Sequence, residues 1–100
     1  MTLRQTEWFN ISGDSTLTGR YSFASTTILT YDLVDVLTPG QRKICRNEIY
    51  ARHGYIFRTP DMKAYFLAQP WYQPRYESVD DQLTDVERLN LQILQSGKRN

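Results

Sequence analysis

The sequence predicts a mainly α, small three-helix domain with a short extra helical turn and an N-terminal extended or β-hairpin arm. Three observations carry this. Threonine-led helix entries stand at Thr38-Pro39-Gly40-Gln41, Thr59-Pro60 and Thr84-Asp85-Val86-Glu87. Apolar residues after them recur at helical spacing. The first thirty residues differ in texture, being rich in Ser, Thr and Gly with scattered rings and aliphatics.

The elements follow in order. In the arm, 1–29, residues 7–11 and 20–23 are short strand candidates around the turn-prone Ser12-Gly13-Asp14-Ser15, and an extended arm without strands fits the same residues. A lone hairpin would have to lean on the helices. Thr30 can cap a short turn over 31–36. At the next entry Thr38 is the N-cap, Pro39 takes the first helical position and Gln41 completes a capping box, opening a helix over 39–53. Gly54 then stands where a left-handed cap ends such a helix. Thr59-Pro60 opens a second helix, 60–69, which Pro70 helps to end. The third, 84–96, starts with its own Thr-x-x-Glu box and carries Val86, Leu89, Ile93 and Leu94 on one face. The helical domain therefore spans 30–96, with a tail at 97–100. Its expected core includes Ile44, Ile49, Tyr50, Phe57, Tyr65, Phe66, Trp71, Leu89 and Ile93.

At 100 residues the chain has room for one core. A formal charge of +1 argues against a dedicated nucleic-acid binder, which would show a concentrated basic face. No stretch approaches the ~20 apolar residues of a membrane span, and no apolar run near the start reads as an export signal. Nine arginines against three lysines point to guanidinium forks engaged in structure rather than a merely hydrated surface. Cys45 is the only cysteine and His53 the only histidine, so neither an internal disulfide nor a Cys- or His-based metal site is expected, and no cofactor is.

The segment Arg46 to Tyr55 holds the most information. Cys45, Ile49 and Tyr50 define an apolar face at about 100° per residue, and Arg46 and His53 project from its middle. A cation there needs a partner. Arg46 is expected to be buried against Glu87, with Asp85 as runner-up, while Glu87 also closes its capping box. Glu48 and Arg52 form an i,i+4 pair on the flank, and His53 faces the negative end of the helix dipole. These five residues, Arg46, Glu48, Arg52, His53 and Glu87, form the expected structural network. The run Pro70-Trp71-Tyr72-Gln73-Pro74-Arg75-Tyr76 offers rigid aromatic area. Trp71 is expected inside; Tyr72 and Tyr76, with Arg58 and Arg75, are the candidate ligand-binding residues.

Tyr50-Ala51-Arg52-His53-Gly54, led by Arg46-Asn47-Glu48 and followed by Tyr55-Ile56-Phe57, Tyr65-Phe66, Pro70-Trp71-Tyr72, Glu87 and Asn90, resembles the YARHG-domain family of bacteria. The resemblance covers roughly 29–95, and Arg20 to Ser25 is similar to a lead-in found before some of these domains. It implies an extracytoplasmic setting, in the periplasm or at the cell surface, and no particular activity. With no coherent catalytic constellation, the expected function is a non-catalytic binding module for an envelope protein or cell-wall polymer, recognising a glycan or peptide. The alternatives are a small envelope hydrolase using Glu48 and His53, which would require them exposed and convergent, and a purely structural docking domain.

Overall fold

A computed structural model describes residues 19–95. The strand expected at 7–11, its turn and the tail at 97–100 lie outside these residues. In chain order come a 3-10 turn, Ser22–Ser25; α1, Tyr31–Asp35; α2, Pro39–Arg52; α3, Pro60–Leu67; a second 3-10 turn, Asp80–Gln82; and α4, Asp85–Gln95. The chain is thus mainly helical, and the described residues include no strand. Tyr55 and Tyr76 form an isolated parallel bridge. Residues 20–23, a strand candidate, instead enter the first 3-10 turn, where the Ala24 N–H donates to the Tyr21 carbonyl at 2.9 Å.

The caps explain where helices begin. Thr30 accepts from the Leu33 N–H at 3.1 Å. Thr38 and Gln41 form the reciprocal box, at 3.1 and 2.8 Å, and Thr84 and Glu87 form another, at 3.1 and 2.9 Å. Thr59 makes no such bond; Pro60 with its fixed φ begins α3, and Asp61 Oδ1 accepts from the Met62 N–H at 2.8 Å. The Arg42 guanidinium donates to the Val34 and Leu37 carbonyls at 3.0 and 2.8 Å, satisfying acceptors at the end of α1.

Helix α2 is the central wall, with an apolar cluster on each flank. On one, Tyr21, Ala24, Leu29 and Val34 meet Cys45 and Ile49 of α2 and Leu91 and Leu94 of α4. Residues 20–29 are therefore integral to the core. On the other flank Ala51, Phe57, Met62, Phe66 and Tyr72 come together, and Ile44 and Tyr50 pack against both clusters.

Two helices are rotated from the expected phase. On α2 the buried positions include Glu48 beside Cys45, Ile49 and Ala51. On α4 they are Glu87, Asn90, Leu91 and Leu94, while Leu89, an expected core residue, is 40% exposed. Of the other expected core residues, Ile49, Phe57 and Phe66 are buried; Ile44, Tyr50, Tyr65, Trp71 and Ile93 are half-buried. Both rotations have one cause. The 20–29 backbone lies over these helices and supplies hydrogen bonds that let polar side chains turn inward.

Candidate functional site

Glu48 lies buried under the start of the described chain. Its Oε2 accepts from the Arg20 N–H at 2.8 Å and its Oε1 from the Tyr21 N–H at 2.8 Å. Arg52 Nη1 adds the carboxylate's third bond, at 3.1 Å to Oε1, with both side chains at most 2% exposed. The same guanidinium donates through Nε to Ser25 Oγ at 2.9 Å, and Nη2 lies 3.4 Å from the Tyr21 carbonyl. Burial pulls the Arg52 pKa below its ordinary value, and Glu48 opposes that pull. Gly19 completes the fit: it sits at φ +101°, and a Cβ there would stand 2.6 Å from Glu48 Oε1.

Asn90 makes the second tie. Its Oδ1 accepts from the Leu29 N–H at 2.8 Å, and its Nδ2 donates to the Ala24 and Thr27 carbonyls at 2.7 and 2.8 Å. Glu87 makes the third. While capping α4, its Oε1 also accepts from His53 Nε2 at 2.8 Å, joining the end of α2 to the start of α4. Burial alone would raise the Glu87 carboxyl; the Thr84 N–H, the Ser25 hydroxyl and His53 outweigh it and hold the pKa below the ordinary 4.5. Four of the five expected network residues thus come together as Glu48–Arg52 and His53–Glu87.

Arg46 does not join them. It is half-buried and forms no ion pair with a carboxylate among the described residues. The rotation of α2 that buries Glu48 carries Arg46 to the rim, and His53 takes the place beside Glu87. Gly19 is not singled out in the sequence, and Asn90 is named there only for the resemblance, without its tie to residues 24–29. Cys45, fully buried, has its thiol pushed up to about 12, chiefly by burial and then by the Glu48 charge, and so stays protonated and inert.

Gly54 is the hinge to the aromatic flank. It sits at φ +92°, and its carbonyl accepts from the Arg75 and Tyr76 N–H groups at 2.8 and 2.9 Å. A Cβ there would meet the Gln73 carbonyl oxygen at 3.1 Å. The expected ligand residues separate across this flank. Tyr72 is buried and its hydroxyl donates to the Tyr55 carbonyl at 2.6 Å, so its face is not open for stacking. Phe57 stacks on Phe66 at 4.7 Å between centroids, and Trp71, half-buried, meets Phe66 edge-on. Tyr76 is 42% exposed. Arg75 is exposed and donates to Gln73 Oε1. Arg58 lies 3.6 Å from Glu77, with both side chains at least 70% exposed, a pair weak enough to be displaced.

Beside this flank the surface holds a cleft of about 340 Å³ between α2 and the chain leading to α4. Asn47, Tyr50 and Tyr55 line one side, and Glu77, Ser78 and Asp80 the other, with Val79 between them. The two rings are 5.9 Å apart and tilted by 55°. Neither phenol hydroxyl has a hydrogen-bond partner among the described residues. The Tyr50 pKa is raised, first by burial and then by the Asp80 charge, with Arg46 acting weakly in the other direction. No group of three or more His, Cys, Asp or Glu that could hold a metal ion occurs among the described residues, and no helix there is long and apolar enough to cross a membrane.

Comparison with curated proteins and with solved structures gives no match. The YARHG domain model matches residues 21–98. This span contains the 3-10 turn as well as the motif that anchors it, in keeping with the packing of residues 20–29 into the core. By that match over most of its length, the chain belongs to the YARHG domain family.

Proposed function

We propose that this domain is a non-catalytic binding module of a bacterial envelope protein. It works outside the cytoplasm, as the family resemblance implies, and takes its ligand, a cell-wall glycan or peptide, at the Tyr50–Tyr55 cleft. One contrast supports the reading. The acid and base groups of the motif are consumed inside the fold, whereas the Tyr50 and Tyr55 hydroxyls of the cleft have no partner among the described residues. Glu48 has a donor on each oxygen, and His53 Nε2 is engaged by Glu87. A hydrolase would need such a pair converging on open space. The cleft sets Tyr50 and Tyr55 beside Asn47, Glu77, Ser78 and Asp80, rings and polar groups of the kind that recognise a ligand.

The test is retention of the protein on purified cell wall, comparing the parent with Glu77→Ala and Asp80→Ala, two residues that line the cleft. Both side chains are exposed, so the variants should fold like the parent and be retained less. Undiminished retention would move the site elsewhere, and no retention on any envelope polymer would favour the structural-docking alternative. Turnover of a wall fragment that His53→Ala abolishes would overturn the non-catalytic reading.

A further inference from the structure

The chemistry of the cleft narrows the ligand. Two carboxylates, Glu77 and Asp80, line it, and no Lys, Arg or His among the described residues does. Tyr50 and Tyr55 line it as well, and the electron-rich face of a phenol ring attracts cations. Asn47 spends its Nδ2 on the Lys43 carbonyl at 3.0 Å and on Met62 Sδ at 3.3 Å, leaving its carbonyl oxygen as the group still to be satisfied. The phenols and the Ser78 hydroxyl add further acceptor oxygens. The nearby cations do not neutralise the site. Arg58 meets Glu77 only in the loose, solvated pair, Arg75 is turned to Gln73, and Arg46 acts on the Tyr50 phenol more weakly than Asp80 does. The backbone N–H groups of Glu77 and Ser78, just beyond the Tyr55–Tyr76 bridge, have no partner among the described residues and could bond to an extended main chain.

We propose that the cleft binds the ammonium group of a peptide side chain, a lysine-like primary amine carried on an extended segment, rather than a neutral sugar. An ammonium brings three donors and no acceptor, the complement of carboxylates, phenol oxygens and an amide carbonyl. A cleft of about 340 Å³ is at the small end for ligand sites and suits one such side chain. This inference rests on the reading of the cleft as the binding site.

The test uses the full 100-residue chain, isotope-labelled, with amide shifts followed at Asn47, Tyr50, Ser78 and Asp80. Three probes are titrated: acetyl-Ala-Lys-Ala-amide, the same peptide acetylated on the lysine amine, and chitotetraose. The lysine peptide should move these amides, less so as salt is raised. Acetylating its amine, or Asp80→Asn in the protein, should weaken binding about tenfold. Asp80→Asn should unfold with heat like the parent, since its side chain makes no hydrogen bond among the described residues. Equal or tighter cleft binding of the acetylated peptide or chitotetraose would overturn the ammonium assignment and leave the binding-module reading standing. No shift at the cleft with any probe would overturn it as well, and retention on purified cell wall would then decide separately whether the module reading survives.

Discussion

On one flank of α2, residues 20–29 and α4 are tied down by side chains ending in charge or amide: Glu48, Arg52, Asn90 and the His53–Glu87 pair. On the other, α3 and the 70–76 run are held by rings, with Phe66 in contact with Phe57, Tyr65, Trp71 and Tyr72. The two respond differently to error. A buried polar network holds one arrangement, because any bond lost leaves a desolvated group without a partner. A ring cluster tolerates substitutions that keep volume and apolarity. The motif therefore reads as two halves. Glu48, Arg52 and His53 fasten the polar flank, while Ala51 and Gly54 shape the aromatic one.

Glu48→Leu should break the polar flank with the largest effect. It strands the Arg52 charge and two backbone N–H groups, so a loss of about 3–5 kcal/mol is expected in urea unfolding. Adding Arg52→Leu should recover part of it. Next comes Gly54→Ala, which forces a side chain into the left-handed region and towards the Gln73 carbonyl. A cost of about 1–2 kcal/mol is expected by the same measurement. Phe66→Leu tests the tolerance of the aromatic flank and should cost about 1–2 kcal/mol despite the complete burial of Phe66. If it costs as much as Glu48→Leu, the contrast between the flanks is lost.

A smaller effect depends on pH. The Glu87 carboxyl is held below its ordinary 4.5, so its contribution is present above that pH and is lost as pH falls through the lower folded-state value. Acid unfolding of Glu87→Gln should therefore show a shallower loss below about pH 4.5 than the parent. The smallest effect is expected at Arg46. Because it lies at the rim without an ion-pair partner among the described residues, Arg46→Leu should stay within about 0.5 kcal/mol of the parent in thermal unfolding.

What the sequence makes legible is what local rules determine. The Thr38–Gln41 and Thr84–Glu87 boxes and Gly54 depend on neighbours within a few positions, so helix order and starts read directly. The phases of α2 and α4 do not. Periodicity treats Glu48 and Asn90 as surface, and only a distant stretch of backbone, 27 and 28 residues from Glu48 and 61 to 66 from Asn90, makes their burial favourable. Arg46 is assigned to the interior for the same reason that Glu48 is not. The cleft is equally non-local: Tyr50 and Tyr55 are visible as aromatics, but their meeting with Asp80 depends on how the 70–79 chain returns across α2. Tyr72 and Tyr76 look alike in sequence, and only the reach of the Tyr72 hydroxyl to the Tyr55 carbonyl separates the buried ring from the exposed one.

The central claim is that the charged residues of the motif serve to hold residues 20–29 against the helices. Native-state hydrogen exchange at the Tyr21 and Leu29 amides tests this most directly, because Glu48 and Asn90 are their acceptors. Both amides should exchange as slowly as that of Ile49 in the helix core, and Glu48→Gln should release Tyr21 before Ile49. Exchange of Tyr21 and Leu29 in the parent as fast as that of exposed Ile28 would contradict the account.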